Sequence, residues 1–523
     1  MTQVRSLLQE NYKSLYIDYV DDYIGRVHLF GTHFASLDIR QDSSIHLECM
    51  EQIFKKEFNV DYHSLSTLEK INYLTQKEVK LNSANYEDEL IKDTIDNIKQ
   101  IKKIQEINGK KGIHRYIISN SESELVVLHV YALFRYCGYE PKDIHIDIVP
   151  LFETMDGMDN SEGVMKRLYE HPVYQAHLAR RGNEQHIMLG FSDGTKDGGY
   201  LKANWEIYRT KERLSMLSRS KAIKVVFFDG RGGPPARGGG KTHQFYAAQG
   251  KEIANDKIQL TIQGQTITSV FGTLEQATYN FEQLLLSGIQ SKKANDWNPD
   301  LKKVLDNLSE KSYDKYVELK NHPLFIEYLE EMTTLKYYGQ TNIGSRPTKR
   351  NKESKLTLKD LRAIPFVGSW SLIRQNVPGY YGLGTALDAY RDNFEVVEQL
   401  FEHSAFFRCL INNSIMSMKK SYFPLTGYMQ NDKKYGAFWK ELRREYLLTK
   451  SYVLRLTKQE ELMENELLSK MSISAREQII LPLLSIQQYA LQQIAENSPS
   501  REIYEKMVVR CLFGNINASR NSA

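Results

Sequence analysis

The sequence predicts a mostly α-helical protein built around a central parallel α/β barrel or sheet. Three observations carry this. Long stretches with helical spacing dominate: Leu47 to Glu57, Tyr86 to Lys110, Gly272 to Leu286, and most of Asn393 to Asn515. Between them lie short β-branched runs of strand length, IHIDIVPLF (144–152), HIMLGF (186–191), KVVFF (224–228) and IQLTI (258–262). Several of these runs end in a polar cluster just before a helix begins, at Glu153 and Thr154, Ser192 to Lys196, and Asp229 to Arg237. Strand, polar tip, then helix is the pattern of parallel barrels and sheets, whose chemistry gathers where the strands end.

The helical stretches follow from apolar residues recurring every three to four positions, and the strands from short apolar runs bounded by turn residues. YIIS (116–119) and SLDI (36–39) are weaker strand candidates. At 523 residues the chain is long enough for roughly three domains by length alone. No repeat of fixed period and no low-complexity segment is visible. The polar, basic stretch 341–360, TNIGSRPTKRNKESKLTLKD, reads either as a solvated connection or as an active-site lid.

Composition narrows the function classes. Hydrophobic residues make up 41% and charged residues 26%, as in a globular protein. The 69 basic residues barely exceed the 65 acidic ones, which argues against a nucleic-acid coat protein. Cys49, Cys137, Cys409 and Cys511 form no CxxC pair and read as thiols in a reducing compartment. No apolar run approaches the ~20 residues of a membrane span, and the N-terminus lacks a secretory signal pattern. The expectation is a cytoplasmic protein with neither a nucleic-acid nor a membrane partner.

The densest motif is KVVFFDGRGGPPARGGG (224–240). Glycines allow close backbone approach, and exposed amides with guanidinium forks bind oxyanions. Arg231 and Arg237, with Gly230, Gly232 and Gly233, therefore read as a phosphate- or carboxylate-binding loop. Glu153 and Asp193, at two strand ends, suit a hard divalent cation; they also suit helix caps or first-turn acids. Lys196, in SDGTKDGGY, reads equally as a binder of a charged substrate and as part of a surface turn. Arg40 ends a short apolar run, and Arg362 and Arg374 flank the apolar segment AIPFVGSWSLI; on spacing alone all three pass as ion-pair partners. The histidines show no ligand spacing, and neither a GxSxG elbow nor a Walker-type loop is present.

Taken in order, these motifs resemble phosphoenolpyruvate carboxylase. LFGTHFASLDIRQDSSIH (29–46) is similar to the family's LDIRQ segment, YIISNSESELV (116–126) to its YIIS motif, and PLFETMDGMDN (150–160) to PLFETL. MLGFSDGTKDGGYLKANWEIY (188–208) resembles GYSDSxKDAG, and FFDGRGGPPARGGG resembles FHGRGGxxGRGGG. NIGSRPTKR (342–350) is similar to NIGSRPxKR, and LRAIPFVGSWSLIRQNVPGYYGLGTAL (361–387) to LRAIPWIFAWTQxR with its WLGxGxAL continuation. GNINASRNSA (514–523) resembles GIAAGMxNTG. The family segment carrying TAHPTE has no counterpart, so the likeness is to roughly the C-terminal three-fifths.

The resemblance implies a central parallel α/β (TIM-like) barrel, complete or incomplete, in one continuous region over 1–523, with barrel strands and site loops in 28–290 and a helical C-terminal part with the effector site in 393–523. It also implies carboxylation of phosphoenolpyruvate by bicarbonate to oxaloacetate and phosphate, through carboxyphosphate and a metal-held enolate, in an allosteric homotetramer that feeds the tricarboxylic acid cycle. By motif, Glu153 and Asp193 would bind Mg²⁺ or Mn²⁺. Arg40, Lys196, Arg231, Arg362 and Arg374 would stabilise charge at the substrate, and 341–360 would be the active-site loop. Arg237, Lys419, Arg476 and Asn521 match positions for an aspartate or malate inhibitor. Asp229 stands where the family has the catalytic histidine of FHGRGG, and an aspartate cannot supply an imidazolium; His243 is one nearby replacement. The alternative reading is a non-catalytic homologue that binds such anions without turnover.

Overall fold

The computed structural model describes residues 1–292, 298–340, 356–358 and 360–519. All six apolar runs form strands: β1 (Leu37–Asp42), β2 (Ile113–Ser119), β3 (Asp147–Phe152), β4 (Glu184–Gly190), β5 (Lys224–Gly230) and β6 (Ile258–Leu260). They form one sheet in sequential order, with parallel pairing of β1 to β2, β2 to β3 and β5 to β6. Parallel neighbours require crossovers, which helices supply. Among the described residues the sheet has six strands rather than the eight of a closed (β/α)8 barrel, which supports the incomplete form of the expected barrel.

The helices that position the site or answer the expectations above are α1 (Thr2–Asn11), α2 (Ile17–Phe30), α3 (Ser43–Ile53), α4 (Glu89–Asn108), α5 (Glu124–Tyr136), α6 (Met155–Glu170), α7 (Phe191–Gly198), α8 (Tyr200–Ser220), α9 (Thr242–Ala247), α10 (Leu274–Lys292), α11 (Ala363–Ser371), α12 (Ala405–Lys419), α13 (Leu467–Ala495) and α14 (Arg501–Ala518). Their starts follow local chemistry. Asp42 accepts from the Ser44 amide to cap α3, and Asp88 accepts from Leu90 and Ile91 to cap α4.

The chain divides into two compact units. The first comprises Met1–Phe152, Asn160–Met188 and Leu217–Val226; the second comprises Glu153–Asp159, Leu189–Met216 and Phe227–Ala523. In the first, Ile95, Ile98 and Ile101 of α4, Val127, Val130 and Phe134 of α5, and Ile117 and Ile118 of β2 are buried. In the second, Tyr328, Trp370, Phe438, Trp439 and Leu442 share one core cluster. No helix among the described residues is long and apolar enough to cross a membrane.

Candidate active site

Except for Arg40 and Asn521, every residue singled out from the sequence lies in the described part of the second unit. Arg40 belongs to the first unit, exposed on β1, with Asp38 at 3.9 Å; Asp38 also accepts from Arg115 Nε at 2.6 Å. Asn521, together with 341–355 and Lys359 of the lid segment, lies outside the described residues.

The hub is α7, which starts directly after β4. Glu153 follows β3 and is buried. It packs so closely on the end of β4 that a Cβ built at Gly190 would lie 2.5 Å from its Cβ. The Glu153 carbonyl oxygen lies against Gly194 in the same helix. Asp193 sits in the first turn of α7, where the helix dipole favours an anion. Its carboxylate has Lys196 Nζ at 3.4 Å, and Lys196 is buried and donates to the Leu361 carbonyl at 2.8 Å. That bond ties α7 to Arg362, the N-cap of α11. Glu153 and Asp193 stand just past adjoining strands and offer only oxygen donors. No group of three or more acidic, histidine or cysteine side chains suited to a metal occurs among the described residues. Two carboxylates with substrate and water oxygens suit Mg²⁺ or Mn²⁺, so the residues present fit the ion.

The glycine loop closes beside α7. Its amides are largely satisfied internally: Gly232 donates to the Arg237 carbonyl at 2.6 Å, and Gly238 and Gly239 donate to Pro235 and Pro234, each at 2.9 Å. Gly233 donates to Gln263 Oε1 at 3.2 Å. Gly230 ends β5. The expected row of exposed amides is therefore mostly occupied, and positive charge in the loop rests on its arginines. Arg231 is buried, donates from Nε to the Gly238 carbonyl at 2.6 Å, and lies over the Phe245 ring at 4.3 Å. Arg237 donates to Ser192 Oγ and Gln263 Oε1, each at 3.1 Å. Burial pulls its pKa down, while Tyr338 and Asp193 oppose that shift.

Asp229 is fully buried, and one of its oxygens accepts from both Lys211 Nζ at 2.7 Å and Tyr246 Oη at 2.6 Å. His243 is not among its hydrogen-bond partners. Lys211, on α8, is as buried as Asp229, and sequence reading missed it.

A second cationic cluster forms around Arg374. Its backbone is left-handed (φ 55°), a conformation non-glycine residues adopt rarely and often at functional positions. Arg374 donates from Nη1 to the Lys420 carbonyl at 3.3 Å, and its own carbonyl accepts from the Tyr422 amide. Lys420 is only 4% exposed. Burial, helped by Arg374 and Arg476, pushes its pKa down to about 7. Lys419, the residue expected from the sequence, is half-buried and interacts with Glu461 instead. Arg476 on α13 donates to Ser472 Oγ at 2.8 Å. A narrow crevice lined by Pro234, Ala236, Ser371, Asn376 and Lys420 joins the glycine loop to this cluster.

A family model described as phosphoenolpyruvate carboxylase matches residues 1–519. A phosphoenolpyruvate carboxylase of Prochlorococcus marinus (strain MIT 9301) is 31% identical over 94% of this chain and 52% of its own length. Another, of Prochlorococcus marinus subsp. pastoris, is 31% identical over 95% of this chain and 53% of its own length. The chain thus spans about half the length of the curated relatives it matches, somewhat less than the three-fifths expected. Matched by the family model over residues 1–519, the chain belongs to the phosphoenolpyruvate carboxylase family.

Proposed function

We propose that this chain carries the catalytic apparatus for carboxylating phosphoenolpyruvate with bicarbonate to oxaloacetate and phosphate. The observation that supports this most is the junction at α7. Glu153 and Asp193 stand just past adjoining strands, Lys196 links Asp193 to the Arg362 segment, and Arg237 closes from the glycine loop. Glu153 and Asp193 would hold Mg²⁺ or Mn²⁺, which supplies a Lewis acid for the oxygen of the enolate. Arg231 and Arg237 would take the charge of the phosphoryl group as its bond to the enol oxygen breaks and one to bicarbonate oxygen forms. The carboxyphosphate so formed releases phosphate and CO₂, and the enolate carbon attacks the CO₂. Arg362 and Arg374, at the two ends of the buried α11 segment, would balance carboxylate charge. Phe191, Phe245 and Tyr246, which surround Arg231, would keep water from protonating the enolate.

Lys420 and Arg476 support a dicarboxylate effector, aspartate or malate, with Lys420 in the role expected of Lys419. A homotetrameric, cytoplasmic enzyme remains part of the reading taken from the family. One observation favours the second reading, anion binding without turnover: Asp229 occupies the family's histidine position. A coupled assay that reads oxaloacetate as malate tests the proposal. Activity should require phosphoenolpyruvate, bicarbonate and Mg²⁺ together. With its N-terminal complement present, a folded chain that binds phosphoenolpyruvate by calorimetry yet never releases phosphate would establish the second reading instead.

A further inference from the structure

The aspartate at the family's histidine position does not stand alone. Asp229 and Lys211 are each 1% exposed, and their ion pair is joined by the Tyr246 hydroxyl on the same carboxylate oxygen. A buried carboxylate without a counter-charge is strongly disfavoured, so the aspartate is tenable here because α8 delivers an ammonium to it. The same turn carries Arg231. Its amide donates to the Asp229 carbonyl at 2.9 Å, and the Thr261 amide donates to that carbonyl at 3.0 Å. Lys211 and Arg231 share aromatic walls: Lys211 Nζ lies 5.6 Å from both the Phe245 and Tyr246 ring centres, and the Arg231 guanidinium lies 4.3 and 5.6 Å from them. Two cations, one anion and one phenol therefore form a packed unit at the root of the glycine loop.

We propose that Lys211 is a positioning residue for this loop: by neutralising the buried Asp229 carboxylate, which Tyr246 also contacts, it holds the turn that carries Arg231 in place. Lys211 lies behind Asp229 and acts through it. The proposal rests on the loop being the phosphate-binding element, and its test separates the two ideas. In the full chain, Lys211→Met leaves the carboxylate unpaired, Lys211→Arg keeps the charge, and Lys211→Met with Asp229→Asn removes both charges. Hydrogen exchange of amides in 230–240 needs no turnover. It should quicken at least tenfold in Lys211→Met and stay within threefold of the parent in Lys211→Arg and in the double variant. The dissociation constant of phosphoenolpyruvate, by calorimetry, should weaken at least tenfold in Lys211→Met and recover in Lys211→Arg, a split that a purely scaffolding lysine would not produce. Should Lys211→Met fail to fold, a folded, protected double variant supports charge compensation, and an unfolded one overturns it. Unchanged exchange or affinity in a folded Lys211→Met, or a double variant as labile as the single, also overturns it. A parent chain that binds no phosphoenolpyruvate defeats the reading of the loop, while the exchange data still decide the role of Lys211.

Discussion

Replacing Gly190 by alanine probes the carboxylate junction with one added methyl group. The new Cβ would lie 2.5 Å from Glu153 Cβ and 3.1 Å from its Cα. Carbon atoms settle about 3.5–4.0 Å apart, so the start of the Glu153 side chain must retreat by roughly 1 Å or more. The close approach to Cα means that a rotamer change alone cannot relieve the clash, and backbone must move. Overpacking of this kind costs about 1–3 kcal/mol, and misplacing a reacting group by about 1 Å costs on the order of a hundredfold in rate. The assay is a thermal melt of parent and Gly190→Ala with and without Mn²⁺, alongside Mn²⁺ binding by electron paramagnetic resonance. The variant should melt a few degrees lower and lose most of the Mn²⁺-dependent stabilisation. A variant with the parent melting temperature and an undiminished Mn²⁺ shift would refute the claim that Gly190 exists to admit Glu153.

Three further outcomes follow from the geometry. A Cβ on Gly239 would overlap the Gly233 carbonyl oxygen, so Gly239→Ala should open the loop and abolish phosphoenolpyruvate binding in calorimetry, while far-ultraviolet circular dichroism stays native. Lys420→Met should weaken malate binding at least tenfold and Lys419→Met by less than twofold; because the Lys420 pKa lies at about 7, malate affinity in the parent should fall as pH rises through 7 and beyond. His46, His129 and His177 are buried and pushed down to about 4, 3 and 4, chiefly by desolvation. Unfolded histidine titrates near 6.5, so the unfolded chain binds more protons below that value. The stability these residues lend to the first unit is complete above pH 6.5 and is lost toward pH 4, by roughly 1.4 kcal/mol per pH unit for each histidine. Urea melts followed at pH 7, 6 and 5 check the slope, and midpoints that do not move would contradict the burial of these rings.

The strands were legible because buried parallel strands read as continuous apolar runs. Their ends were less so. The run 144–152 contains Ile144 and Ile146, which are buried as strand residues would be but precede β3. YIIS was only the C-terminal part of the longer β2, because His114 and Arg115 look like loop residues in sequence. Lys211 was invisible for a related reason. It sits in TKERL, a charged stretch that reads as a solvated helix face, and only the packing of α8 near the end of β5 shows that it is buried. Lys419 and Lys420 differ by one residue, about 100° around a helix. The short local likeness around MSMKKSYF could not tell which one faces Arg374. The arginines were legible as charges bordering an apolar segment, but sequence could not show that the loop amides would be taken up internally.

That internal bonding has a thermodynamic consequence. A loop with amides committed to Pro234, Pro235, Arg237 and Gln263 is ordered before any anion arrives. The conformational entropy of fixing its glycines, the largest of any residue type, belongs to folding and not to ligand capture. An anion meeting Arg231 and Arg237 there pays little ordering entropy on binding, so its heat of binding should carry little of the compensation that marks loops folding around their ligands.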